Sequence, residues 1–529
     1  MNLILQKRLG TFKMIFRQIG GLQIILGYTM ALPILISLIY SEYYSALGFL
    51  ISSLACIIVG FLLYKKIKNT SEPLTHHALI IAAAGWLSIA IMGALPFLII
   101  AYITPVDVAQ QFVPAGADYG SSIFFFKNPL HAIFESMSGL TTTGLSMALH
   151  VPTIGKGLMF YRSFTQLLGG AGFIVLTLAL LGHSSGRIAY MLYGAESTGE
   201  RLKPTIIQTT RSIWKLYIGM TVFSFIYLVI GTYLILPGYS LTENLFDSIN
   251  HAMSGQSTGG FSTLESSIAS YHSKAMDILY LLPMILGALS LPFYYKVFYE
   301  KQFSQFWKNL QTRAIIITSF FGSIILSVML LKSGIITEPF RIGFFQFISA
   351  LTTTGWQTTD IHVWDAASIV FIVLAAMVVG GAAGATVGGI KIIRVLLIFK
   401  GLFWHINNYF SSENAIKVVK FNDKRLLPDE MNKELANVAT FAFVYMLFLI
   451  VGTLITYYQM FSGYTLKDAL FESASALGTV GLSCGITSPA MSPVLEITYI
   501  IQMWAGRLEI IPILILFRTI FLGTKPTVV

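Results

Sequence analysis

The sequence predicts an all-α polytopic membrane protein: two leading transmembrane helices, then four copies of a unit in which a spanning helix, a short helix and a small-residue loop lead into a second spanning helix. Three observations carry this prediction. Of the 529 residues only 11% are charged and 55% are hydrophobic, whereas soluble domains carry about 25% charged residues. Apolar runs of roughly 20 residues, enough to cross a hydrocarbon core as a helix, recur along the chain. A hydroxyl-rich loop, G-L-T-T-T-G at Gly139–Gly144, returns three times, within S-G-Q-S-T-G-G-F-S (Ser254–Ser262), S-A-L-T-T-T-G-W-Q (Ser349–Gln357) and S-A-L-G-T-V-G-L-S (Ser475–Ser483).

Lys7, Arg8, Lys13 and Arg17 precede the first apolar run, Leu22–Tyr40. That run is too long for the apolar core of a signal peptide and more spans follow it, so it reads as a retained helix. With Ser45–Tyr64 it forms an N-terminal pair within residues 1–76. The first unit (77–183) uses Ala78–Ile103, the short Pro129–Ser138, the loop and Gly157–Leu181. The second (184–299) opens with the polar segment Ser184–Ser212 and uses Ile213–Leu236, Leu245–Ser254, the loop and Ala275–Val297. The third (300–404) uses Ala314–Leu331, Phe340–Ser349, the loop and Ala366–Phe399. The fourth (405–529) opens with the polar segment His405–Lys433 and uses Ala436–Met460, Leu466–Ser475, the loop and Pro493–Ile520. The unit recurs roughly every hundred residues, well beyond the ~20–50-residue period of a solenoid.

The four short segments hold about ten apolar residues each, too few to span, so they are re-entrant or buried. Irregular backbone at membrane depth survives where protein buries it or where it lines a water-filled cavity. Four such loops therefore meet around one aqueous path. Lys and Arg placement agrees with ten spans and both termini inside, because the outer loops carry only Lys127, Lys156, Lys274, Lys332, Arg341 and Lys467. All four loops then lie on the outer side. The net charge of +10 belongs to this inside-positive bias and not to nucleic-acid binding.

A bare monovalent cation in a bilayer needs its hydration shell replaced, and rings of backbone carbonyls do this. The sets Thr142-Thr143-Gly144, Thr258-Gly259-Gly260, Thr353-Thr354-Gly355 and Thr479-Val480-Gly481 suit such a ring: Gly permits positive φ and close approach, and Thr supplies oxygens. Each set follows the C-terminal, negative end of its short helix, which favours a cation. Because the second set has Gly259 and the fourth Val480 where the others have Thr, the ring should be only approximately fourfold. Tight small-residue packing between helices is the plainer reading of any single loop.

These loops, with R-S-F-T-Q-L-L-G-G-A-G (Arg162–Gly172), T-G-G-F-S-T (Thr258–Thr263), G-G-A-A-G-A-T-V-G-G-I-K (Gly380–Lys391) and A-G-R-L-E (Ala505–Glu509), resemble the Trk-type potassium uptake subunits (TrkH-like) of the Trk/Ktr/HKT superfamily. The similarity covers about Leu79 to the C-terminus, and the two leading spans point to the Trk branch. The resemblance implies four pore-loop units in pseudo-fourfold arrangement, a homodimer with one pore per subunit, a bacterial plasma membrane location, and potassium held at the four Thr/Gly sets as the transported ion. It also implies a cytosolic nucleotide-binding regulatory partner of the TrkA type, docking on the inner segments. No nucleotide motif occurs in this chain.

Val379–Gly389 interrupts the second helix of the third unit with five glycines, each costing about 1 kcal/mol relative to Ala inside a helix. In relatives this stretch is an intramembrane gate below the filter, which marks Gly380, Gly381, Gly384, Ala385, Thr386, Gly388, Gly389 and Lys391 as gate residues; Ala385 stands where relatives commonly have Ser. A kinked helix without gating is the alternative. Lys391 and Arg394 also suit interfacial anchoring. Arg507 is a charge inside an apolar span, which faces a cavity or a partner; the resemblance directs it to the gate, and an ion pair with Glu509 or a snorkelled position is the alternative.

Glu135 and Glu472 each stand nine residues before a loop glycine and suit structural capping near a helix N-terminus. His131 and His251 have no metal-ligand neighbours in sequence and read as structural. Cys56 and Cys484 suggest neither metal nor disulfide. No nucleophile motif appears, so no catalytic residue is expected. A secondary transporter coupling potassium to sodium or protons has similar broken helices, and that alternative stays open at this point.

Overall fold

A computed structural model describes residues 2–67, 75–173, 175–176, 178, 190–191, 193–194, 203–410, 418–422 and 424–523. The N-terminal pair consists of α1 (Asn2–Thr29) continued by α2 (Ala31–Ile39), and α3 (Tyr43–Lys66). They cross where Gly20 and Gly60 face each other: a Cβ on either would lie 2.7 Å from the other's carbonyl oxygen. Small residues let backbones meet, which is how helices associate where lipid supplies no hydrophobic drive.

The first unit comprises α4 (Thr75–Gly93) continued by α5 (Leu95–Ile103), the short α6 (Pro129–Leu140) and α7 (Lys156–Gly170). Glu42, between α2 and α3, accepts hydrogen bonds from the backbone N–H groups of Lys156 (2.5 Å) and Gly157 (3.0 Å). A carboxylate thus sits at the positive end of α7 and fixes the N-terminal pair to the first unit. The second unit comprises α8 (Ile206–Ile235), the short α9 (Leu241–Gln256) and α10 (Lys274–Ala288); the third α11 (Leu310–Ser333), the short α12 (Pro339–Leu351) and α13 (Ala366–Ile372), then α14 (Ile392–Tyr409). The fourth comprises α15 (Pro428–Gln459), the short α16 (Leu466–Leu477), α17 (Pro493–Arg507) and α18 (Ile511–Leu522). A small antiparallel hairpin, Val419–Phe421 with Lys424–Leu426, precedes α15. Trp504 Nε1 donates to Ala83 O at 3.2 Å, closing the fourth unit onto the first.

Ten spans were the expectation, with only the second helix of the third unit interrupted, and the structure shows further breaks. Six helical stretches among the described residues are long and apolar enough to cross a membrane unbroken. The second helices of the second, third and fourth units are broken. Lys274–Ala288 and Leu291–Tyr299 meet at 93°, and Pro493–Arg507 and Ile511–Leu522 at 115°. In the third unit the helix widens at Val373–Met377, where Val378 N–H reaches back to Val373 O, then runs irregularly to Lys391. In the first unit α7 ends at Gly170, and residues 174, 177 and 179–181 of the expected continuation to Leu181 lie outside the described residues, as do 184–189, 192 and 195–202 of the first polar segment and 411–417 and 423 of the second.

The second helices run against the C-terminal ends of the short helices so closely that only glycine fits: a Cβ on Gly169 would lie 1.8 Å from Leu140 O, one on Gly506 1.9 Å from Leu477 O, and one on Gly287 2.6 Å from Gly255 O.

Candidate functional site

Each short helix ends in the same turn. Thr143, Gly259, Thr354 and Val480 each donate their N–H to the carbonyl of the serine five residues earlier, Ser138, Ser254, Ser349 and Ser475, at 2.8–3.0 Å. The residue before each donor is left-handed: Thr142 (φ 57°), Thr258 (53°), Thr353 (52°) and Thr479 (48°). Threonine is β-branched and disfavoured there, so the sequence did not foretell this. The glycines follow at φ 97°, 79°, 85° and 90° for Gly144, Gly260, Gly355 and Gly481.

The four loops close into a ring. A Cβ on Gly144 would lie 2.3 Å from Gly259 O; one on Gly260, 2.1 Å from Thr354 O; one on Gly355, 2.0 Å from Val480 O; and one on Gly481, 2.1 Å from Thr143 O. In every step the room of the missing side chain is taken by the next loop's carbonyl, and the fourth step returns to the first loop. All four glycines line one cavity of about 550 Å³.

Behind the ring stands a set of buried polar side chains that the sequence reading recognised only in part. Nine residues before the four glycines lie Glu135, His251, Gln346 and Glu472, each 0% exposed. Glu135 accepts from Ser146 Oγ (3.0 Å) and Met147 N (2.7 Å), and Glu472 from Ser483 Oγ (2.7 Å) and Cys484 N (2.9 Å). His251 Nε2 meets Ser262 Oγ at 2.9 Å, and Gln346 Nε2 donates to Thr358 Oγ1 at 3.1 Å. These groups cap the chain just after each loop, which corrects the expectation of a helix N-terminal role for the two glutamates. Glu135 is also paired with Arg162, whose Nε lies 2.6 Å from its carboxylate with both side chains buried. His131 is structural, its Nδ1 3.0 Å from Phe125 O.

Beneath the ring lies the glycine-rich segment of the third unit. Thr386 Oγ1 is 2.9 Å from Thr258 Oγ1, Gly388 N–H donates to Thr353 Oγ1 at 3.2 Å, and a Cβ on Gly388 would meet Thr479 Oγ1 at 2.3 Å. The segment thus touches the left-handed threonine of three loops. Its path is set by Gly380, Gly384 and Gly389 at φ 67°, 80° and 72°, by Ala382 N–H to Ala288 O (3.1 Å) and by Leu291 N–H to Gly384 O (3.0 Å); Gly381 O accepts from Ile392 N–H at 3.0 Å.

Arg507 ends α17 and donates to Thr386 O (2.7 Å), Gly169 O (2.6 Å) and Gly170 O (2.6 Å). One guanidinium therefore joins the end of α7 to the segment under the ring. Both oxygens of Glu509 are engaged elsewhere, by Lys391 Nζ at 2.7 Å and by Arg394, so Lys391 and Arg394 serve as ion-pair partners and not merely as interfacial anchors. A second cavity of about 60 Å³ lies here, lined among others by Gly170, Ala385, Lys391 and Arg507. The geometry is a ring of loop glycines and carbonyls with one cavity against the loop glycines and a smaller one lined by the segment and Arg507.

The TrkH family of cation transport proteins matches residues 48–522. The chain belongs to this family. An uncharacterized cation transporter of Methanocaldococcus jannaschii is 32% identical over 96% of this chain and 95% of its own. The Trk system potassium uptake proteins TrkH of Halomonas elongata and Escherichia coli K12 are 28% and 27% identical, over 97% and 96% of this chain and 99% of theirs. The crystal structure of the potassium transporter TrkH from Vibrio parahaemolyticus superposes with a TM-score of 0.76 at 25% identity, covering 96% of this chain and 98% of that one. Membership extends into α3, further toward the N-terminus than the loop motifs reach. The fold is that of the family, four pore-loop units plus the leading pair, and the protein is a multi-pass membrane protein.

Proposed function

We propose that this protein takes up potassium across a bacterial inner membrane, with both termini in the cytoplasm, through a gated selectivity-filter pore. The observation that carries the reading is the closed ring, in which each loop glycine makes room for the next loop's carbonyl. Such a ring replaces the hydration shell of a monovalent cation. Thr142, Thr143 and Gly144, Thr258, Gly259 and Gly260, Thr353, Thr354 and Gly355, and Thr479, Val480 and Gly481 form the filter in this reading, and Gly380–Gly389, Lys391 and Arg507 form the gate. The names of the bacterial relatives support potassium as the ion. A homodimer controlled by a TrkA-like cytosolic nucleotide-binding subunit completes the reading.

The test is Gly355→Ser. A side chain there meets Val480 O at 2.0 Å with φ at 85°, so the third and fourth loops must part. Potassium-over-sodium discrimination in reconstituted vesicles should fall. Undiminished discrimination would remove the filter assignment.

A further inference from the structure

The second loop departs from its neighbours by having Gly259 where two of the others have Thr. Thr143 and Thr354 turn their hydroxyls back to Thr141 (2.8 Å) and Thr352 (2.9 Å) of their own loops. At Gly259 the corresponding room is filled from another helix: a Cβ would lie 2.3 Å from Cδ of Gln166. Gln166, on α7 and 0% exposed, donates through Nε2 to Gly259 O at 2.5 Å and accepts through Oε1 from Phe261 N at 3.2 Å. A carbonyl on one side and an N–H on the other admit only this orientation of the amide, since the reversed one would set oxygen against oxygen.

We infer that Gln166 is a positioning residue for ion selectivity: its amide holds the Gly259 carbonyl, so that this oxygen faces the ion with a weaker field than Thr143 O, Thr354 O and Val480 O. This rests on the reading of the four loops as the filter. An oxygen already accepting an N–H has less lone-pair density for a cation, and low field strength disfavours the small, strongly hydrated sodium ion relative to potassium. Gly259 and Gln166 are then a matched pair. The glycine exists to admit the amide, and the amide compensates for the missing threonine.

The experiment compares potassium, rubidium and sodium flux in proteoliposomes for Gln166→Met, Gln166→Glu, Gly259→Thr and the double variant Gln166→Ala/Gly259→Thr, with Gly355→Ser alongside. Gln166→Met keeps the volume and removes the donor; Gln166→Glu keeps the acceptor for Phe261 N and removes the donor. Gln166→Met should lower the potassium-to-sodium ratio by about 2- to 10-fold, the effect of one neutral hydrogen bond, and Gln166→Glu, which adds a negative charge and so a stronger field at the same place, should lower it at least as far. A merely structural role would lower both fluxes alike. Gly259→Thr should abolish uptake by clashing with Gln166, and the double variant should regain it with the lowered ratio. Unchanged ratios in both Gln166 variants, or a double variant no better than Gly259→Thr, would overturn the inference; the second comparison decides if the Gln166 variants fail to fold. A Gly355→Ser protein of wild-type selectivity would instead sink the filter reading beneath it.

Discussion

Replacing Arg507 by methionine tests the gate most directly. The guanidinium makes one bond to the segment under the ring, to Thr386 O, and two to the end of α7, at Gly169 O and Gly170 O. A hydrogen bond from a charged donor contributes a net of about 1.5–3 kcal/mol. If the Thr386 bond exists only while the segment blocks the path, losing it shifts the balance of blocked and unblocked states by about 10- to 150-fold, at 1.4 kcal/mol per tenfold. The two carbonyls of α7 are less consequential, because the cavity beside them, about 60 Å³, has room for water to take over their bonds. Potassium leak into proteoliposomes holding the protein alone should therefore rise by at least about tenfold in Arg507→Met. Arg507→Lys, with a single ammonium, should fall between. Wild-type leak in Arg507→Met, together with wild-type leak after shortening Gly380–Gly389, would refute the argument.

Two further outcomes follow from the surroundings of the ring. Arg162→Met leaves the Glu135 carboxylate buried without its cation, a loss of about 3–5 kcal/mol; the melting temperature of the detergent-solubilised protein should drop, and Glu135→Gln in the same chain should recover part of it. Before α12, the hydrogen bonds from Lys274 and then Arg341 hold the exposed Glu338 carboxyl below its usual range. A depressed carboxyl stabilises the fold above its unfolded pKa, and that contribution disappears as pH falls through the folded value. Thermal stability should therefore fall on acidification below the usual carboxylate range, less steeply in Glu338→Gln; parallel pH profiles would count against this role.

Arg507 and Glu509 show where sequence reading stops. Two residues apart, they were natural partners, but the chain bends by 115° between α17 and α18, and Glu509 is carried to Lys391 and Arg394. The bend itself left little local mark, since it includes Ile510 at φ 63°, a conformation that a β-branched residue avoids in isolation. Of the breaks in the second helices, only the one rich in glycine could be read in advance. Gly169 and Gly506 were visible as motif glycines, but their purpose required the carbonyls of Leu140 and Leu477. The capping set was legible only at Glu135 and Glu472 for another reason: with His251 and Gln346 they perform one task with three chemistries, so similarity of residue type does not reveal the other two.

What the sequence determined by itself is whatever depends on local chemistry. Apolar length makes a helix a span, the Lys and Arg distribution suggests its direction, and a glycine four residues past the end of a short helix permits a tight loop. Those demands are met within a few residues, so they are written four times in the chain. The ring, the partner of Arg507 and the match of Gln166 to Gly259 were decided only in the tertiary structure. Each is a contact between units separated by many residues, and its energy comes from a carbonyl or amide that the folded chain brings within hydrogen-bonding distance. Nothing in the spacing along one unit can specify that meeting.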